Sequence, residues 1–193
     1  MKGYNRLRKR AIDLLESQLS KKLVYHGIHH TYDVLKSVNF FIKNENLPIE
    51  QAKQLRIAAL YHDVGFIQTY REHEKKGVEI LRQAMDEFGG DDSDFEIIAG
   101  MIMATKIPQN PKTHLEKIIC DSDLFYLGEK RYYEISKTLF AELLNYNLIK
   151  TEEEWKKIQI SFLSTHTYHT KYANSNLKKE KNKRVVEISK TLT

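Results

Sequence analysis

The sequence predicts an all-α protein, a single compact helical bundle over residues 1–193, and three observations carry that expectation. Apolar residues recur at helical spacing in nearly every long segment, strand-like alternation is absent, and only three prolines and eight glycines punctuate the chain. Neither a repeat of about 20–50 residues nor a low-complexity linker divides it. With 41% hydrophobic and 30% charged residues, the composition suits a globular chain with a real core rather than a disordered one.

Each element has its own signal. Tyr4 to Ser20 places Leu7, Ala11, Leu14, Leu15 and Leu19 on one stripe. Gly27 breaks the pattern, and His30 to Asn44 then aligns His30, Val34, Val38 and Phe41. Pro48 suits a first helical turn, opening a helix to about His62 with Leu55, Ala58, Ala59 and His62 on one face, before a stop at Gly65. Glu72 to Phe88 carries Val78, Leu81, Met85 and Phe88 and is ended by Gly89-Gly90. Asp91 to Ala104 comes next, with Phe95, Ile98 and Ile102 apolar, and then a loop from Lys106 to Lys112 holding Pro108 and Pro111. Thr113 to Tyr126, Arg131 to Leu148 and Glu152 to Thr165 are helical by pattern, and a polar helix from Lys171 to Lys190 closes the chain. The chemistry-bearing core is expected over about residues 24–130, with the C-terminal helices of residues 131–193 packing on it.

Composition excludes several classes. No apolar stretch approaches the roughly 18 residues of a membrane helix; the longest, Ile57–Tyr61, has five. Asp13 and Glu16 lie soon after the basic start, so no signal-peptide apolar region is present. Cys120 is the single cysteine, which rules out an intrachain disulfide and a cysteine-based zinc site. A cytoplasmic protein is the expectation. The net charge is +5, and the excess gathers in Met1–Arg10, with five bases and no acid, and in Lys178–Arg184, with five bases and one acid. These runs read as solvated helix faces rather than a nucleic-acid or membrane surface. A charge this modest helps attract a phosphorylated small molecule without implying a polymer.

Three segments put histidine or aspartate on faces that should be buried. His30 continues the apolar stripe of its helix, while His29 and Asp33 point elsewhere. His62 prolongs the Leu55, Ala58, Ala59 face, with Asp63 beside it at the helix end. In the third segment Leu115, Ile119 and Asp123 step by four, so Asp123 faces inward and Asp121 less so. Taken singly, each has a plainer reading: a His-Asp pair arises by chance, a lone helix-end His is more often core or cap, and Asp121 can serve a local turn. Their coincidence in order is what counts. A buried carboxylate without a partner costs several kcal/mol, and two inward carboxylates and two inward imidazoles remove that cost by sharing one divalent cation. Mn, Fe, Ni, Co, Zn and Mg all remain open, and four such ligands leave room for water and substrate.

The pattern His30, His62-Asp63, Asp123 resembles the HD-domain superfamily of metal-dependent phosphohydrolases. His30 stands in His30-Thr31-Tyr32-Asp33-Val34, the His-Asp doublet is followed by Val64-Gly65, and Asp123 lies in Asp121-Ser122-Asp123-Leu124-Phe125-Tyr126-Leu127-Gly128, all similar to the family's motifs. The resemblance covers about residues 24–130 and implies an all-α bundle holding a metal on His30, His62, Asp63 and Asp123. Thr105 stands where two-metal members carry a further His, so one metal is expected, and an oxygenase on this scaffold, which needs two irons, is disfavoured. The Gly-Tyr-Pro motif of the cyclic-dinucleotide branch is absent.

The implied reaction is hydrolysis of a phosphate ester of a small molecule, a nucleotide in first place, by an activated water. Asp63 is the candidate to ligate and to orient that water. His26, four residues before His30 in a Tyr-His context shared with related phosphodiesterases, is the candidate general acid. Lys106, His73 and His166 are candidate substrate contacts, each with a solvated or structural alternative. His114 reads as a capping or solvent-facing residue and Trp155 as core. The alternative function is a metal-containing nucleotide-sensing or interaction module with little turnover.

Overall fold

The structure is a computed structural model and describes residues 1–192. Among the described residues it holds ten α-helices, two 3-10 turns and no strand, so the all-α expectation is met. The chain divides into two compact units, one built from Met1–Ser20 and His26–Asp123, the other from Lys21–Tyr25 and Leu124 onward. No helix among the described residues is long and apolar enough to cross a membrane.

The first unit contains α1 (Tyr4–Gln18), α2 (Ile28–Asn44), α3 (Ile49–Tyr61), a 3-10 turn (Val64–Ile67), α4 (His73–Phe88), α5 (Asp92–Ala104) and α6 (His114–Asp123). Its centre is α3, which packs against α1, α2, α5 and α6 and buries Ala52, Leu55, Ile57, Ala58, Ala59, Leu60 and Tyr61. A helix apolar on most sides has nowhere to go but the core. The periodicity reading found only one of its buried faces. Because α3 is central, its C-terminal His62-Asp63 is delivered to the middle of the unit.

Two glycines lock the next elements onto that end. A Cβ at Gly65 would lie 1.9 Å from the His73 carbonyl oxygen, and one at Gly77 would lie 2.8 Å from the Tyr61 carbonyl oxygen. The 3-10 turn and α4 therefore approach each other and α3 backbone to backbone, which only glycine permits. The basic start of the chain is absorbed locally. Lys2 pairs with Asp91 at 3.1 Å, Lys9 with Asp13 at 2.6 Å and Arg10 with Glu87 at 3.7 Å, while Arg6 caps the Phe88 carbonyl and lies over the Phe88 ring.

The second unit contains a 3-10 turn (Phe125–Gly128), α7 (Tyr132–Asn145), α8 (Glu152–Thr165), α9 (Lys171–Asn176) and α10 (Lys178–Ser189). Thr151 opens α8 with a reciprocal capping box to Glu154. Its core gathers Leu124, Leu127, Tyr132, Leu163, Tyr168, Ala173, Leu177 and Ile188. Two expectations change here. The sixth helix, read to Tyr126, ends at Asp123 and gives way to the 3-10 turn. The last helix, read as continuous from Lys171 to Lys190, is divided at Leu177, whose side chain and backbone press on Gly128. The second basic run is also less solvated than its pattern suggested. Lys181 is buried and donates to the carbonyls of Leu163 and His166, at the end of α8 where a cation is favoured, and Arg184 pairs with Glu187 at 3.1 Å.

Candidate metal centre

Three helices of the first unit converge on one point. His30 comes from the first turn of α2, His62 and Asp63 from the end of α3, and Asp123 from the last residue of α6. His30, His62 and Asp123 offer ligand atoms that all lie within 4.8 Å of one another. His30 Nε2 is 3.1 Å from Asp123 Oδ1 and 3.4 Å from His62 Nε2. Asp63 Oδ2 completes the group, 3.2 Å from His62 Nε2 and 3.5 Å from His30 Nε2. All four side chains are mostly or wholly withdrawn from solvent, Asp123 being the most open at 14%.

The donor set fits a cation on chemical grounds. His62 Nδ1 lies 2.8 Å from the Ala59 carbonyl oxygen, which can only accept, so Nδ1 carries a hydrogen and Nε2 turns toward the carboxylates. Such a second contact is the usual way a metal-ligating imidazole is oriented. Asp63 Oδ2 is buried and makes no hydrogen bond, although two imidazole nitrogens approach it. The spacings of 3.1 to 3.7 Å among these atoms match those around an ion bonded at about 2.1 Å, whose neighbouring ligands stand about 3.0 Å apart in octahedral and about 3.4 Å in tetrahedral geometry.

Without an ion, a proton holds the cluster together. Burial, the strongest single influence on His62, pushes its pKa down, but the charges of Asp63 and Asp123 and the contact with Asp63 outweigh it and bring His62 up to about 9. Burial likewise raises Asp63, and His62, His73 and His26 together override it and hold the carboxyl well below its usual range. At neutral pH His62 is therefore protonated and Asp63 ionised. A cation must displace that proton, so binding at pH 7 should release about one proton per ion. The release should fade as the pH rises through about 9, and the apparent metal affinity should climb with pH up to that point. Calorimetric titration in two buffers of different ionisation enthalpy measures the release directly; equal heats in both buffers would contradict this reading.

A second ring of side chains flanks the cluster. His73 opens α4, and its Nε2 is 3.4 Å from Asp63 Oδ1 and 3.5 Å from the buried carboxylate of Glu74. The Phe66 ring touches two imidazoles, stacked on His73 at 3.8 Å and on His26 at 4.3 Å, with Tyr70 edge-on at 5.3 Å, and the two imidazoles lie 6.2 Å from each other. His26 in turn meets the His30 ring edge-on at 5.9 Å. Sequence reading named His26 and His73 but missed Phe66. The only signal was its place in Val64-Gly65-Phe66, because stacking depends on the 3-10 turn, which period counting does not detect.

The remaining candidates sit as follows. Lys106 is half-exposed beyond the end of α5 and pairs with Glu72, next to His73, at 2.6 Å. Thr105 is buried and its hydroxyl donates to the Ile102 carbonyl, a helix-end contact. His114 opens α6 and pairs with Glu45 at 2.6 Å, in line with a capping or surface role. His166 belongs to the second unit, its ring against Phe162 and Tyr168. Asp121 requires a correction. It was expected to face inward less than Asp123, yet it is fully buried while Asp123 is partly open. The reason is that α6 packs on α2, α3 and α5 at once, so more than one of its faces is covered.

The first unit thus gathers two imidazoles and two carboxylates from three helices into a cluster that could hold a metal ion. The family model of the HD domain matches residues 27–126, more than half of the chain, and the chain belongs to that family. The match takes in all four convergent residues, and His26 lies one position before it. A search of the curated proteins finds no match.

Proposed function

We propose that this chain is a metal-dependent phosphohydrolase that hydrolyses a phosphate ester of a small molecule, a nucleotide in first place, using one divalent ion. The observation that carries the reading is the convergence of His30, His62, Asp63 and Asp123 with the Asp63 Oδ2 atom buried and unbonded. Bound there, a divalent cation supplies Lewis acidity toward phosphoryl oxygens and acidifies a water.

The chain's own groups account for the rest. Asp63 directs Oδ2 at the cluster and Oδ1 at His73 Nε2, so one carboxylate can ligate and also orient the attacking water. His26, held against Phe66 beside His30, is the proposed general acid that protonates the leaving oxygen. His73 is the best-supported substrate contact because it borders the cluster. Lys106 can reach a phosphate only by exchanging Glu72 for it, and His166 stays a proposal from sequence.

The test is a phosphatase screen on metal-stripped protein reloaded with Mn, Co, Ni or Mg. Nucleoside monophosphates, cyclic nucleotides and p-nitrophenyl phosphate serve as probes. EDTA-sensitive phosphate release is expected, and Asp63→Ala should lose it. Turnover that survives both Asp63→Ala and His62→Ala contradicts the assignment. Tight nucleotide binding by calorimetry with no product would instead favour the sensing module.

A further inference from the structure

The second unit contains a cavity of about 750 Å³ formed by α7, α8 and the end of α10, and none of its lining residues belongs to the metal cluster. Its size falls within the range of small-molecule sites, about 300–1,000 Å³. The wall is aromatic and aliphatic. Trp155 stacks on Phe140, with ring planes 16° apart, and Ile188 adds to the apolar surface.

The polar groups of this cavity are specific in what they leave over. Gln159 is buried and uses its amide nitrogen for two bonds of 2.7 Å, to the Tyr132 and Ser136 hydroxyls. No donor among the described residues reaches its carbonyl oxygen, so that atom is the acceptor left for an occupant. The charges also resolve. Glu152 is paired with Lys156 at 3.1 Å and Glu187 with Arg184 at 3.1 Å. Lys137 is exposed at the rim with no ion-pair partner among the described residues. A flat apolar wall, one buried acceptor and one uncommitted cation describe a single kind of guest.

The geometry points to a binding site in the second unit for a small aromatic anion that also carries an N–H or O–H donor. The ring system lies along Trp155, Phe140 and Ile188, the donor meets the Gln159 carbonyl, and the anionic group meets Lys137. This site is independent of the phosphohydrolase reading, because no group of the metal centre takes part in it.

Trp155 is the sole tryptophan and lines this cavity, so tryptophan emission comes from its wall. The probe is 8-anilinonaphthalene-1-sulfonate, which has the rings, the N–H and the anion, added to the full chain. Saturable quenching of Trp155 with energy transfer to one bound probe per chain is expected. N-phenyl-1-naphthylamine, which lacks the sulfonate, should bind about fivefold more weakly, and Lys137→Glu should weaken the sulfonate by a similar factor while sparing the neutral compound. Lys137 is exposed, so this variant keeps the fold; Lys36→Glu, an exposed change in the other unit, should have no effect. Absence of saturable quenching overturns the proposal. So does quenching that Lys137→Glu leaves unchanged, or that Lys36→Glu reduces equally.

Discussion

Asp63→Asn should leave a folded protein that no longer retains a divalent ion. The substitution keeps the shape of the side chain and replaces one oxygen with an amide that presents hydrogens. At this position the buried Oδ2 stands within 3.2 and 3.5 Å of two imidazole nitrogens, so the loss falls on the atom most committed to the cluster. Removing a partner that merely orients a ligand already costs about 10–100-fold in metal affinity, and losing a direct ligand should exceed that. Metal analysis after dialysis should find one ion per wild-type chain and none in the variant. The fold should persist, because the amide has nearly the size and shape of the carboxylate it replaces and Asp123 still faces His62 and His30. Proton release on adding metal should vanish with the binding. Full metal occupancy in Asp63→Asn would remove the basis of the proposed function.

Gly65→Ala should cost stability more than any other single-methyl addition near the site. The new Cβ would meet the His73 carbonyl oxygen at 1.9 Å, the His73 carbonyl carbon at 2.7 Å and the Gly77 nitrogen at 2.8 Å. These are backbone atoms of a regular helix, so no side-chain rotation relieves the clash. The 3-10 turn must separate from α4, and with it go the Phe66 stack and the approach of His73 to Asp63. Overpacking of this kind costs about 3 kcal/mol or more. For a chain of this length that lowers the melting temperature by about 10 °C. Thermal unfolding followed by circular dichroism checks it. Gly89→Ala is the contrast: its Cβ would meet nothing within 4 Å, and its cost would come only from a φ of 73°. A Gly65→Ala protein as stable as wild type would show that the 3-10 turn and α4 are not locked as described.

Much of the site was legible because helical periodicity and chemistry coincide in it. His30 follows the stripe of Val34, Val38 and Phe41, and His62 follows that of Leu55, Ala58 and Ala59, and all of these are buried. Where an element packs on several partners, period counting loses its grip. Asp121 and Asp123 exchange their expected burial because α6 is covered by three helices. Leu177 divides a helix that looks continuous, since a uniformly polar stretch gives no warning that one leucine must turn toward Gly128. The basic runs looked free for the same reason. Charge counts do not show that Lys181 caps α8 or that Lys2 and Arg10 meet acids more than 70 residues away.

By itself the order of residues determined that the chain is helical and singled out His30, His62, Asp63 and Asp123 as candidate metal ligands, because both readings depend on local spacing. Tertiary structure alone decided that Asp63 Oδ2 is buried without a bond, that Phe66 stacks on both His26 and His73, and that the second unit has a cavity with one uncommitted lysine. Those properties depend on contacts between residues far apart in the chain, and local spacing holds no information about which distant atoms will meet.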